Sequence, residues 1–338
     1  MTKETKALNS PLAWKDRRVL ITGAGGFIGS HLAERIAQLG ARTRCFLRYN
    51  SQSSLGWLRS SSVLSELEII HGDIRDSESV SRAAKDADVI FHLAALIGIP
   101  YSYNSPRSYI QTNIEGTFNI LEAARNHGTE RLVCTSTSEV YGSALYVPID
   151  EGHPLRGQSP YSATKIGADK LAESYHLSFG LPVSVARPFN VYGPRQSSRA
   201  IIPTIITQAL TQSDVNLGNL NTTRDFNFVS DTVEGFLRIA ESDLAIGKTL
   251  NIGSGVETPV KEVAELIFDL AGTEPAIRIE KQRIRPAASE VDRLCANSRP
   301  LTELTGWKSE VPLREGLKRT IEWIVENLES YSVGSYTI

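Results

Sequence analysis

Along the first half of the chain, short runs of β-branched and aliphatic residues alternate with segments whose apolar positions recur every three or four residues. The runs at 17–22, 42–47, 66–71, 89–94, 131–136 and 183–187 predict strands. The periodic segments at 27–39, 77–85, 108–126 and 159–179 predict helices. The stretch VIFHLAA, 89–95, has no two-residue alternation, as expected of a strand covered on both faces. Parallel strands need crossover connections, so this rhythm predicts an α/β fold with a doubly wound parallel sheet. After about residue 189 the rhythm changes, and Pro203 opens the helical pattern PTIITQALTQ. We expect a sheet domain over 13–188 with about 224–255, and a smaller interleaved α/β lobe over 189–223 and 256–330. Residues 1–12 and 331–338 are polar and Ser-rich and read as loose termini.

A chain of 338 residues buries a substantial core without disulfides or structural metal. The net charge of -2 argues against a nucleic-acid partner. Cys45, Cys134 and Cys295 are widely separated and lack metal-ligand spacing, so no metal is expected. No stretch approaches the ~20 apolar residues of a membrane span. The longest candidate, 87–100, is interrupted by Asp88 and His92, and the N-terminal MTKETKALNS has no apolar signal core. The expectation is a cytoplasmic protein with no membrane partner.

The first predicted strand runs directly into Gly23-Ala24-Gly25-Gly26-Phe27-Ile28-Gly29. Gly23, Gly26 and Gly29 form a GxxGxxG turn between strand and helix. Glycine permits the tight turn, the close approach of backbone to a pyrophosphate, and close helix–strand packing. Phe27 and Ile28 open the helix, whose free N–H groups and positive dipole end favour phosphate. The pattern predicts a Rossmann-type dinucleotide site. Where an NAD site usually carries an acid after the second strand, this chain has Arg48, which suits a 2′-phosphate and favours NADP over NAD. Asp73 and Ile74 follow the third strand; Asp73 suits either the adenine amino group or a helix N-cap.

Tyr161 and Lys165 form a YxxxK pair. Four-residue spacing places both on one helix face. An ammonium beside a phenol favours the phenolate, which can take a proton from a sugar hydroxyl while hydride leaves the same carbon.

With these motifs in place, the chain resembles the extended short-chain dehydrogenase/reductases, in particular the nucleotide-sugar epimerases and dehydratases. The carriers are GAGGFIG at 23–29, HGDI at 71–74, FHLAA at 91–95, TNIEGT at 112–117, TSTSEVYG at 135–142, YSATK at 161–165, RPFNVYGPRQ at 187–196 and RDFNFVSD at 224–231. The resemblance adds Leu93, Ala94, Ala95 and Asn113 to the cofactor site, and implies a cofactor that stays bound and is regenerated at each turnover.

Thr137-Ser138-Glu139 is similar to the catalytic trio of sugar 4,6-dehydratases, with Thr137 at the sugar O4. UDP-glucuronate decarboxylases carry a similar TSEVYG, whereas simple 4-epimerases usually lack the glutamate. The dehydratase resemblance implies oxidation at C4, removal of the acidified C5 proton by Glu139, loss of the C6 hydroxyl as water, and return of hydride to C6. Ser138 departs from the Thr-Asp-Glu form and leaves open which group protonates the leaving hydroxyl. Arg224 and Arg285 match arginines that contact the substrate diphosphate, and Asn190 and Glu290 join the substrate site. Tyr101 and Tyr103 suit either a sugar pocket or plain packing. The segments GIPYSY, YNS and SEVDRL are similar to those of legionaminic-acid-type dehydratases, which implies UDP- or GDP-N-acetylglucosamine as substrate. A nucleotide-sugar 4-epimerase or decarboxylase is the alternative, and a non-catalytic NAD(P)-binding regulator a distant one. Apolar residues beyond one face of the two long helices, among them Ile110, Ile114, Phe118, Leu121, Ile166, Leu171 and Leu177, imply the family's four-helix-bundle homodimer, unless all of them are core.

Overall fold

The computed structural model describes residues 13–331. In the first half, β1 (Arg18–Thr22), α1 (Phe27–Gln38), β2 (Arg42–Arg48), β3 (Leu67–Gly72), α2 (Ser77–Ala84) and β4 (Val89–His92) follow the expected order. They are followed by α3 (Ile99–Asn104), α4 (Pro106–Tyr109), a π-helical turn (Ile110–Glu115), α5 (Gly116–His127), β5 (Arg131–Thr135), α6 (Pro160–Phe179) and β6 (Val183–Pro188). The helix expected over 108–126 is thus one helical run whose first third is widened to π geometry.

The second half contributes β7 (Asn190–Tyr192), α7 (Ile201–Thr211), β8 (Asp214–Leu217), β9 (Thr223–Phe228), α8 (Val229–Glu241) and β10 (Thr249–Ile252). It ends with β11 (Glu257–Pro259), α9 (Val260–Ala271), β12 (Ala276–Ile279), α10 (Arg299–Thr305) and α11 (Leu313–Glu326).

Seven strands form one parallel Rossmann-type sheet in the order β10-β6-β5-β4-β1-β2-β3. Apolar side chains leave it in both directions. Val19, Ile21, Phe91 and Val133 pack beneath α1 and α8, while Leu20, Ile90 and Leu132 pack beneath α2, α5 and α6. A strand buried on both faces needs apolar residues at every position, which explains the continuous runs read from the sequence. Only β10 enters this sheet from beyond residue 188. Arg224–Phe228, expected with the sheet domain, lies instead in a three-stranded sheet ordered β11-β9-β7. A parallel pair, β8 and β12, completes the second lobe.

The segment after β2 and the last described helix meet behind the glycine turn. The amide of Trp57 donates to Gly25 O at 3.0 Å. The Trp57 indole stands edge-on to Trp323 of α11, centroids 5.1 Å apart, and Trp323 meets Tyr331 at 5.9 Å. Tyr331, expected as the start of a loose tail, is buried there. Residues 1–12 and 332–338, the rest of the expected loose termini, lie outside the described residues. Among the described residues no helix is long and apolar enough to cross a membrane.

Candidate active site

A cavity of about 1010 Å³ runs along the carboxyl edge of the sheet, where open α/β sheets bind their ligands. Gly23 turns the chain at φ +71°, and its amide donates to Phe46 O. A Cβ on Gly29 would stand 2.3 Å from Gly23 O, and one on Gly23 would stand 2.8 Å from the Ala94 amide. No side chain larger than hydrogen fits at either position. Gly26 caps α1 with no side-chain acceptor, and the first turn of α1 has no acidic residue. Its amides and dipole are therefore left for an anion. Gly23, Gly26, Phe27, Ile28 and Gly29 all line the cavity.

Arg48 and Asp73, at the ends of neighbouring strands, line the same end with Ile74. Asp73 accepts from Arg75 Nε at 2.9 Å and Nη2 at 2.5 Å. These bonds hold its carboxyl below the usual range. Leu93, Ala94 and Ala95 line the middle of the cavity, and the amides of Leu93 and Ala94 donate to Thr22 Oγ1 at 3.1 Å.

Asn113 is not on the cavity wall. Its Oδ1 accepts from Leu96 N at 2.9 Å, and its Nδ2 donates to Leu96 O at 3.0 Å and Thr164 Oγ1 at 3.1 Å. All of its bonding groups are spent on clamping the loop after β4 to α6. It supports the cofactor wall and presents nothing to a ligand.

The helix carrying the YxxxK pair starts on a reciprocal cap between Ser159 and Ser162, with Pro160 in its first turn. That fixed start points Tyr161 and Lys165 together into the cavity. Lys165 Nζ donates to Thr135 O at 2.6 Å. Tyr161 packs edge-on against Tyr109 at 6.2 Å. Burial pushes the Tyr161 phenol up, and a hydrogen bond with Thr137 pulls it back. Burial likewise pushes the Lys165 ammonium down, against the pull of Asp169.

Thr137 caps a 3₁₀ turn over Ser138–Tyr141, its Oγ1 accepting from Glu139 N at 3.2 Å. Thr137 and Glu139 line the cavity beside Tyr161. Ser138, expected as a catalytic residue, is buried at 3% exposure and does not line it. In a 3₁₀ turn consecutive side chains diverge by about a third of a turn, so Thr137 and Glu139 can face the ligand only with Ser138 turned away.

At the opposite end, Arg224 Nη2 and Arg285 Nη1 each stand 3.7 Å from Glu290 Oε1. Burial pushes the Arg224 guanidinium down, and the charge of Glu139 is the largest influence holding it up. Asn190 lines the cavity with a buried Oδ1 that has no partner. Tyr101 lines the wall too. Tyr103 does not: its hydroxyl pairs with Ser289 Oγ at 2.6 Å, outside the cavity. Sequence reasoning missed Gln196, Ser197 and Arg199, which line the wall from the turn after β7. Gln196 closes the RPFNVYGPRQ motif, and Ser197 and Arg199 carry no signal beyond following it. No cluster of potential metal ligands occurs among the described residues.

The family model described as GDP-mannose 4,6 dehydratase matches residues 20–320. The chain belongs to the nucleotide-sugar epimerase/dehydratase family of extended short-chain dehydrogenase/reductases. Among members of this family, the chain is 32% identical to a putative UDP-glucose 4-epimerase of Methanocaldococcus jannaschii, over 91% of this chain and 99% of the relative. It is 32% identical to a UDP-N-acetyl-alpha-D-glucosaminuronate decarboxylase of Bacillus cytotoxicus, over 92% and 98%. The solved dTDP-glucose 4,6-dehydratase of Streptomyces venezuelae, with NAD bound, superposes with a TM-score of 0.84 at 29% identity, covering 93% of this chain and 99% of that one. Relatives named as an epimerase, a decarboxylase and a dehydratase thus share one scaffold with this chain.

Proposed function

We propose that this protein is a nucleotide-sugar 4,6-dehydratase acting on UDP- or GDP-N-acetylglucosamine, and that it works with NADP in preference to NAD. The observation that carries this reading is the meeting of Thr137, Glu139, Tyr161 and Lys165 in one cavity with the glycine turn. The close approach of Gly29 to Gly23 and the uncapped start of α1 fit a dinucleotide pyrophosphate. Arg48, on the wall beside Asp73, supports the 2′-phosphate. The glycine turn, Arg48 and the Leu93–Ala95 wall would hold the dinucleotide, whose nicotinamide would supply reversible hydride transfer.

Tyr161 takes the C4 hydroxyl proton, with Thr137 at the same oxygen and the Lys165 ammonium favouring the phenolate. Glu139 then takes the C5 proton, made acidic by the C4 ketone. With Ser138 turned into the core, Glu139 also returns that proton to the departing C6 hydroxyl, and water leaves. A solvent-derived proton is delivered to C5 as hydride reaches C6. Arg224 and Arg285 hold the diphosphate, displacing Glu290 as their counter-anion. Asn190 and Tyr101 border the sugar. The diphosphate role falls to the expected lobe of 189–223 and 256–330 extended by β9, which carries Arg224.

The test is incubation with UDP-N-acetylglucosamine in deuterated water, followed by mass spectrometry and NMR. Loss of one water with deuterium at C5 is expected. Unchanged mass with inversion at C4 establishes an epimerase instead, and loss of carbon dioxide from UDP-glucuronate a decarboxylase. Turnover of the GDP sugar alone would assign the base.

The active form in this reading is a cytoplasmic homodimer. Ile110 and Phe118 on one long helical run, and Leu177 and Phe179 on the other, are exposed. Leu121, expected on that face, is fully buried and belongs to the core. Pairing of this face across a two-fold axis forms a four-helix bundle. Sedimentation of Phe118→Glu should give a monomer where the parent sediments as a dimer; a monomeric parent would remove this element.

A further inference from the structure

Tyr161, Lys165 and Asp169 recur every four residues on α6 and therefore share one face. The first two reach the cavity, and the third is buried behind it at 5% exposure. Lys165 Nζ donates to Thr135 O at 2.6 Å, and Ser136 Oγ, one residue on, donates to Asp169 Oδ2 at 2.7 Å. Lysine and aspartate thus dock on consecutive residues where β5 ends. From neighbouring β6, Arg187 donates to the same carboxylate oxygen through Nε at 3.1 Å and Nη2 at 2.8 Å. Its Nη1 donates to the Tyr141 hydroxyl at 3.0 Å, which donates to Asn251 Oδ1 at 2.7 Å on β10. Ser136, Lys165, Asp169, Arg187, Tyr141 and Asn251 are all buried.

We propose that Asp169 is a positioning residue for the Tyr161–Lys165 pair, holding Lys165 as a docked ammonium from behind the cavity through a frame anchored on three strands. This rests on the reading of Tyr161 and Lys165 as the catalytic pair. A buried ammonium with a single carbonyl acceptor is driven to shed its proton, and only the protonated lysine favours the phenolate.

The groups facing the pair are few. His92 on β4 is neutral, driven down to about 3 by burial. Cys134 on β5 is a neutral thiol, driven up to about 12 by burial, as is the Tyr141 phenol. Tyr109 faces Tyr161 as a neutral phenol, raised by burial. Glu139 acts on Tyr161 from the cavity side. Asp169 leads the influences that hold Lys165 up. Its direct field on Tyr161 ranks behind those of Thr137, Glu139 and Tyr109. Arg187 is the other buried cation on the carboxylate, paired with its Oδ2 at 2.8 Å from β6.

Asp169→Asn keeps the size and hydrogen-bonding capacity of the side chain and removes its charge. NMR of the cofactor-loaded protein with ¹³Cε-labelled lysine follows Lys165 directly, its signal assigned by loss in Lys165→Arg. Its titration midpoint should fall by at least one pH unit in Asp169→Asn, about a tenfold change in the protonation equilibrium. An unchanged midpoint overturns the inference, and this readout needs no substrate. With substrate, the alkaline limb of kcat/KM should move down by the same amount, while turnover near pH 6–7 persists. If Asp169→Asn does not fold, Asp169→Glu moves the charge by one methylene, and a midpoint equal to the parent's again overturns the inference. If the lysine shifts as expected but Tyr161→Phe turns over nucleotide sugar as fast as the parent, the proposed function falls and the electrostatic coupling stands.

Discussion

Glu139 and Tyr161 face one cavity but serve different steps, which makes them separable. Tyr161→Phe should lower C4 oxidation by about 10²–10⁴-fold, as for loss of a positioned base. Glu139→Gln should leave that oxidation standing and stop the water loss, so reduced cofactor accumulates, visible as absorbance at 340 nm on mixing with substrate. Equal losses in both steps would make Glu139 a residue of the fold. At this scale the sequence was readable wherever a residue has one chemical option. Gly23 and Gly29 admit no side chain because backbone atoms stand within 3 Å of the Cβ each would carry, and such a constraint leaves a fixed spacing. Ser138 misled because its neighbours Thr137 and Glu139 do face the cavity, and the turn that separates them is set by the capping bond at Thr137. Asp169 carried no signal of its own: its partners Ser136 and Arg187 come from two strands that meet it only in the folded sheet.

Among the elements, the helical run after β4 shows what periodicity cannot report. An apolar stripe at 108–126 reads as plain α-helix, yet Ile110–Glu115 is a π turn. The extra residue in that turn accompanies Asn113 directed at the loop after β4, where it bonds both backbone groups of Leu96. Asn113→Ala should cost about 1–3 kcal/mol in a urea melt, because it leaves both backbone groups of the half-buried Leu96 without their partner. A loss below about 0.5 kcal/mol would mean that water replaces the amide. The short strands of the second lobe were the least legible part. β7 and β11 have three residues each, too few for any alternation to register, and β9 finds its partners 36 residues before it and 32–36 after it.

At the scale of the whole molecule, the cavity is walled by segments spread along the chain from Gly23 to Glu290. A ligand spanning it ties those segments together in the folded state alone. Protein stripped of NAD or NADP should therefore melt lower than loaded protein. Occupancy at 100–1,000 times Kd contributes about 2.7–4.1 kcal/mol, equivalent to about 4–6 °C, measured by calorimetry on the two forms. Identical melting temperatures would place the dinucleotide somewhere other than this cavity. The class of fold was legible at this scale because six of the seven sheet strands arrive in order before residue 189. The seventh was not, since β10 lies beyond the point where the rhythm changes.

That late strand bears on how the protein is made. A ribosome releases the chain from its N-terminus, so the glycine turn, the tyrosine and the lysine all emerge well before residues 249–252 close the edge of the sheet beside β6. The indole of Trp323, which backs the Trp57 wall, emerges later still. A nascent chain arrested near residue 240 holds the residues of the dinucleotide turn but leaves the outer edge of β6 bare, an aggregation-prone state until synthesis continues. Cover for that edge of β6 therefore waits on residues made more than sixty positions after it.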